Sequence, residues 1–88
     1  MNDLIQAGAF LVDVRTPEEF ESGHVHASVN IPLDQVAERL DEFDGKNHII
    51  VFCRSGARSG MAKAILAQNG INHVTNGGTW EDIKQHID

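Results

Sequence analysis

Apolar residues in this chain gather into short runs, and the polar stretches between them carry helix-forming patterns. Residues 10–14 (FLVDV) are apolar and partly β-branched, which predicts a strand. Residues 16–23 (TPEEFESG) carry a helix-start signature: Thr16 as N-cap, Pro17 in the first turn and Glu19 completing a capping box, with Gly23 as the stop. Residues 27–32 (ASVNIP) give a weaker strand ending at a proline. Leu33, Val36, Ala37, Leu40 and Phe43 then recur at helical spacing, with acidic residues and Arg39 on the opposite face.

Residues 44–47 (DGKN) predict a turn, and residues 48–52 (HIIVF) are apolar without alternation, as in a strand covered on both faces. A helix ending at Gly70, a short strand at residues 73–76 (HVTN) and an amphipathic helix at residues 79–87 (TWEDIKQHI) complete the pattern. Strands alternating with helices predict an α/β domain with a parallel sheet, whose ligands bind beyond the carboxyl ends of the strands.

Composition narrows the class of partner. The 88 residues fit one small domain, read as residues 1–88. No apolar run approaches the length of a membrane helix, and the first residues lack a basic secretory start. A single cysteine forms no internal disulfide, so the expected setting is cytoplasmic, or periplasmic after removal of a leader. The formal charge of −6 argues against nucleic acid or an anionic membrane as partner. Against 13 acidic side chains the chain has only 7 Lys and Arg, yet Arg54 and Arg58 both lie within five residues of the only cysteine.

That cysteine, Cys53, ends the most apolar run and opens the loop Cys53-Arg54-Ser55-Gly56-Ala57-Arg58-Ser59, which leads into a helix. Small residues let successive N–H groups turn inward as an anion nest, and a helix N-terminus adds free N–H groups and a positive dipole end. Both effects lower a thiol's pKa. Two guanidinium groups supply forks that hold an oxyanion. The bland alternative is an inert buried thiol, which has no use for paired arginines. The pattern therefore predicts a nucleophilic thiolate beside a cradle for a small anion.

These residues, with residues 11–33 (LVDVRTPEEFESGHVHASVNIPL) and 74–83 (VTNGGTWEDI), resemble the single-domain rhodaneses, sulfurtransferases of the thiosulfate:cyanide type. The resemblance implies a rhodanese-like fold: a small central parallel sheet flanked by helices on both faces. It implies that Cys53 takes a sulfane sulfur from a small anionic donor and passes it, as a persulfide, to cyanide or a thiol, a protein thiol included. Arg54, Ser55, Gly56, Ala57, Arg58 and Ser59 then form the donor cradle, and Asp13 and Arg15 brace the loop. No cofactor is implied. Two departures stand out: the chain begins after the position of a short extra strand common in the family, so one edge strand is expected to be missing. Trp80 follows Gly78 by two residues, where the family's aromatic comes several later.

Two rival readings remain open. Cell-cycle-type phosphatases, and arsenate reductases with them, resemble this architecture but use a Cys-x5-Arg loop; here the spacing from Cys53 to Arg58 is Cys-x4-Arg, tighter than a phosphoryl group needs. Rhodanese-like modules also serve as non-catalytic binding domains, typically where the cysteine is lost. His24 and His26 lack further ligands at zinc-like spacing, so no metal site is expected. Trp80 and the four Phe residues read as packing residues.

Overall fold

A computed structural model of the chain describes residues 1–87. Helix α1 (Asn2–Gln6) precedes strand β1 (Phe10–Asp13), then come helix α2 (Pro17–Glu21) and the short strand β2 (Val29–Asn30). After two 3-10 segments, Leu33–Glu38 and Leu40–Glu42, the chain continues through strand β3 (Ile49–Cys53), helix α3 (Ala57–Gln68), strand β4 (Val74–Thr79) and helix α4 (Trp80–Ile87). The four strands form one parallel sheet in the order β2-β1-β3-β4. The expected α/β architecture is present, with packing on both sheet faces.

Alternation along the strands sorts the core into two layers. Val12, Val51 and Cys53 face Val36 and Phe43 of the 3-10 region and Ala62 and Leu66 of α3. Leu11, Ile50 and Phe52 face Val25 and Ile83, with Leu4 and Ile5 of α1 and Trp80 of α4 packed alongside. All five residues of β3 are buried, the burial that its unbroken apolar run predicts.

Four segments depart from the pattern reading. Residues 33–43 are two 3-10 pieces rather than one α-helix. Arg39 sits between them at φ −121° and ψ 36°, and its N–H bonds the Val36 carbonyl three residues back. Apolar spacing of three and four suits both helix types, so periodicity alone could not separate them. Strand β4 runs on through Gly77 and Gly78 to Thr79, where an irregularity in the pairing with β3 sets Cys53 opposite Thr79. Helix α3 starts at Ala57, inside the stretch read as loop, because Gly56 takes the left-handed conformation (φ 96°) at its N-cap. Helix α1 was not signalled by any cap and has none: no side chain bonds its N-terminus.

Candidate active site

Strand β3 delivers Cys53 to the carboxyl edge of the sheet, and α3 begins four residues later. Arg54, Ser55 and Gly56 thus form a loop of three, while Ala57, Arg58 and Ser59 are the first turn of α3, whose N–H groups lack intrahelical partners. The Gly56 N–H donates to Cys53 Sγ at 3.0 Å, and Ser59 Oγ stands 3.5 Å from the same sulfur. Burial pushes the thiol's pKa up. The Ser59 hydroxyl and the N–H groups of Ser59, Ser55 and Gly56 more than offset that, and the pKa falls to about 7. Roughly half of the thiol is therefore ionised at neutral pH. Cys53 itself exposes no surface, while Arg54, Ser55 and Ala57 above it are exposed.

Asn76, which the sequence did not single out, ties this loop to β4. Its Nδ2 donates to the Gly56 carbonyl (3.1 Å), and its Oδ1 accepts from the Gly78 N–H (3.0 Å) and lies 2.7 Å from Ser59 Oγ, sharing that hydroxyl's one proton with Cys53 Sγ. Gly78 N–H can only donate and the Gly56 carbonyl can only accept, so the amide has one sensible orientation. The loop is thereby fixed to the neighbouring strand on the side away from α2.

On the α2 side, Arg58 turns its fork onto Glu19: Nη1 donates to Oε1 at 2.7 Å and Nη2 to Oε2 at 3.0 Å. Glu19 also closes the capping box that the sequence predicts, accepting the Thr16 N–H while its own N–H donates to Thr16 Oγ1. The bonds from Arg58 and Thr16 together hold the Glu19 carboxyl down to about 2, far below the usual carboxylate range. Arg54 is exposed and makes no ion pair among the described residues. Beside Arg58 lies an open groove of about 520 Å³, walled by Val14, Pro32, Leu33, Ala37 and Ile65, whose lining does not include Cys53.

Asp13 and Arg15 pair with each other at the end of β1. Arg15 Nη2 bonds Asp13 Oδ2 at 2.7 Å, and Arg15 Nε and the backbone N–H bond Oδ1, both at 3.0 Å. The guanidinium then donates to the Gly23 carbonyl (2.7 Å) and lies 4.5 Å from the Trp80 ring centroid, a cation–π contact. A Cβ on Gly23 would stand 3.2 Å from that ring, a tight contact at a backbone φ of 155° that L side chains rarely adopt. Trp80 thus roofs Arg15. Asn30 Nδ2 donates to the carbonyls of Asp13 and Arg15, joining β2 to the same cluster.

Two of the five histidines have partners of their own. His24 stacks on Phe20 and its Nδ1 bonds the Phe20 carbonyl, and His48 Nε2 bonds Thr75 Oγ1. Among the described residues no group of three or more His, Cys, Asp or Glu side chains could hold a metal ion, and no helix is long and apolar enough to cross a membrane.

A family model for the rhodanese-like domain matches residues 1–85. The chain belongs to that family. It is 42% identical over 74 residues to the thiosulfate sulfurtransferase PspE of Escherichia coli, a match covering 82% of this chain and 71% of PspE. A sulfurtransferase of Allochromatium vinosum is 38% identical over 66 residues, covering 75% of this chain and 62% of that relative. In three dimensions the domain superimposes on a structure described as a rhodanese with anions from E. coli, with a TM-score of 0.78 and 38% identity over 85% of this chain and 91% of that one. The rhodanese-like fold implied by the loop and its flanking motifs is therefore present.

Proposed function

We propose that this rhodanese-like domain, as a single unit of residues 1–88, is a sulfurtransferase that works through a Cys53 persulfide. The observation that carries the reading is the Gly56 N–H held 3.0 Å from Cys53 Sγ at the start of α3, with the thiol's pKa at about 7. A nucleophile partly ionised at neutral pH needs no general base, and His24 and His48 are bonded away from the thiol.

With thiosulfate as donor, the Cys53 thiolate attacks the outer, sulfane sulfur. The new Cys53–S bond forms as the sulfane S–S bond breaks, and the electron pair leaves on sulfite. Charge balances: a thiolate and a dianion give a persulfide anion and a sulfite dianion. In the second half-reaction cyanide or a thiolate acceptor attacks the terminal sulfur, and the Cys53 thiolate leaves. The terminal persulfide sulfur lies in the nest of N–H groups from Arg54 to Ser59, which favours its negative charge. Neither half-reaction changes the need for charge stabilisation at that nest, and neither calls on a cofactor.

Arg54 and Arg58 receive the anionic donor, and Asp13 and Arg15 hold the sheet edge from which the loop springs. Because Cys53 exposes no surface, the donor reaches it by a small outward movement of the exposed residues Arg54, Ser55 and Ala57. Other persulfide or polysulfide donors and a protein-thiol acceptor fit the same chemistry, in the cytoplasm or, behind a removed leader, the periplasm. The names of the relatives PspE and the A. vinosum sulfurtransferase support the reading.

Steady-state kinetics across thiosulfate, glutathione persulfide and polysulfide, with Cys53→Ser as control, test it. Transfer that disappears in Cys53→Ser supports the proposal. Cys53-dependent hydrolysis of an aryl phosphate without sulfur transfer overturns it in favour of a phosphatase.

A further inference from the structure

The sequence places two arginines beside the thiol, but the fold gives one of them a carboxylate. Arg58 meets Glu19 through two parallel bonds of 2.7 and 3.0 Å, and Glu19 is itself held by the Thr16 N–H and hydroxyl, both at 3.1 Å. Glu19 is therefore a fixed negative charge, ionised across the working pH range and anchored at the first turn of α2. The positive field at Cys53 is correspondingly weaker than the loop sequence suggests. Among the described residues Arg58 is matched by Glu19 and Arg15 by Asp13, which leaves exposed Arg54 as the unmatched cation of the site.

We infer that Glu19 is a specificity-determining residue, which masks Arg58 and so disfavours dianionic sulfur donors relative to donors of low charge. The inference deepens the sulfurtransferase reading and rests on it. The pair is only partly buried, with side chains 31% and 28% exposed, so it lies within reach of a competing anion. An anion that engages Arg58 must displace a bidentate carboxylate and then sit beside it. A dianion such as thiosulfate meets that repulsion twice over, whereas an alkyl hydropersulfide carries at most one charge and meets it once at most. For the hydropersulfide R–S–SH the Cys53 thiolate attacks the terminal sulfur, the S–S bond breaks, the alkyl thiolate R–S⁻ leaves with the electron pair, and the transferred sulfur keeps its proton as Cys53–S–SH. That step develops no second negative charge near Glu19.

Glu19→Gln isolates the charge, because glutamine also completes a capping box and can still bond Arg58. The experiment compares kcat/KM for thiosulfate and for a hydroxyalkyl hydropersulfide in the wild-type chain and in Glu19→Gln. Thermal melting alongside confirms that both are folded. The expected result is a rise of roughly fivefold for thiosulfate, with a far smaller change for the hydropersulfide. The thiosulfate KM of the variant also becomes more sensitive to added salt, as an unmasked guanidinium requires. A ratio of the two donors that does not move, or a fall for thiosulfate, overturns the masking role and assigns Glu19 to holding Arg58 in place. Cys53 taking no sulfur from either donor in either protein would instead sink the sulfurtransferase reading itself.

Discussion

Two arginine–carboxylate pairs stand at the same end of the sheet and differ in what surrounds them. Asp13–Arg15 is wholly enclosed, its side chains 0% and 4% exposed, with Arg15 Nε and Nη2 donating to Asp13 and the Gly23 carbonyl and the guanidinium against the Trp80 face. Glu19–Arg58 has equally good geometry but lies at the rim, about a third exposed. A buried pair cannot lose one partner without stranding a charge, while a rim pair can exchange its partner for a ligand at little cost. One pair is thus fastened into the scaffold, and the other is open to solvent at the rim.

The largest effect should come from breaking the inner pair. Arg15→Ala leaves Asp13 as an uncompensated buried carboxylate and strips Trp80 of its cation, so unfolding should become easier by about 3 kcal/mol or more. A urea titration reads this as a lower midpoint. A loss below about 1 kcal/mol would mean that water reaches Asp13 and the pair is not structural.

The outer pair should behave in the opposite way. Arg58→Ala should cost only about 0.5 kcal/mol of stability. It should nonetheless raise the KM for thiosulfate on the order of tenfold, since it removes a cation and unmasks Glu19. A hydropersulfide donor should be affected much less. Equal losses for both donors would show that Arg58 shapes the loop rather than meeting the anion.

A smaller change sharpens the view of the thiol at the head of the loop. Ser59→Ala removes one of the groups that lower the Cys53 pKa, so the pKa should move up from about 7. Iodoacetamide alkylation in wild type should climb through pH 7 and level off above it. In Ser59→Ala the climb shifts to higher pH, and the rate at pH 7 drops roughly threefold. An unchanged profile would assign the lowered pKa to the backbone N–H groups alone.

Much of this was legible in the chain. Residues 48–52, apolar without alternation, marked a strand covered on both faces, and the Thr16–Glu19 capping box forms as its spacing predicts. Cys53 at a strand end followed by small residues and arginines marked the loop, because those features are local. What escaped the sequence depends on partners distant along it. Glu19 read only as a cap, since its bond to Arg58 spans 39 residues. Asn76 read as the end of a short strand, and its bonds to Gly56 and Ser59 reach 20 and 17 residues back along the chain. The 3-10 geometry of residues 33–42 was hidden for a different reason. Apolar residues three and four apart satisfy either helix, and the Arg39 backbone decides between them.

Cys53 ends β3 at the head of the loop, and the claim that it carries sulfur is the one on which the rest depends. Intact-protein mass spectrometry after incubation with thiosulfate, and separately with a hydropersulfide, examines it directly. The predicted result is the added mass of one sulfur atom, mapped to the peptide containing Cys53, absent in Cys53→Ser and removed by cyanide. A folded chain that gains no sulfur from either donor, or gains it in Cys53→Ser, would contradict it.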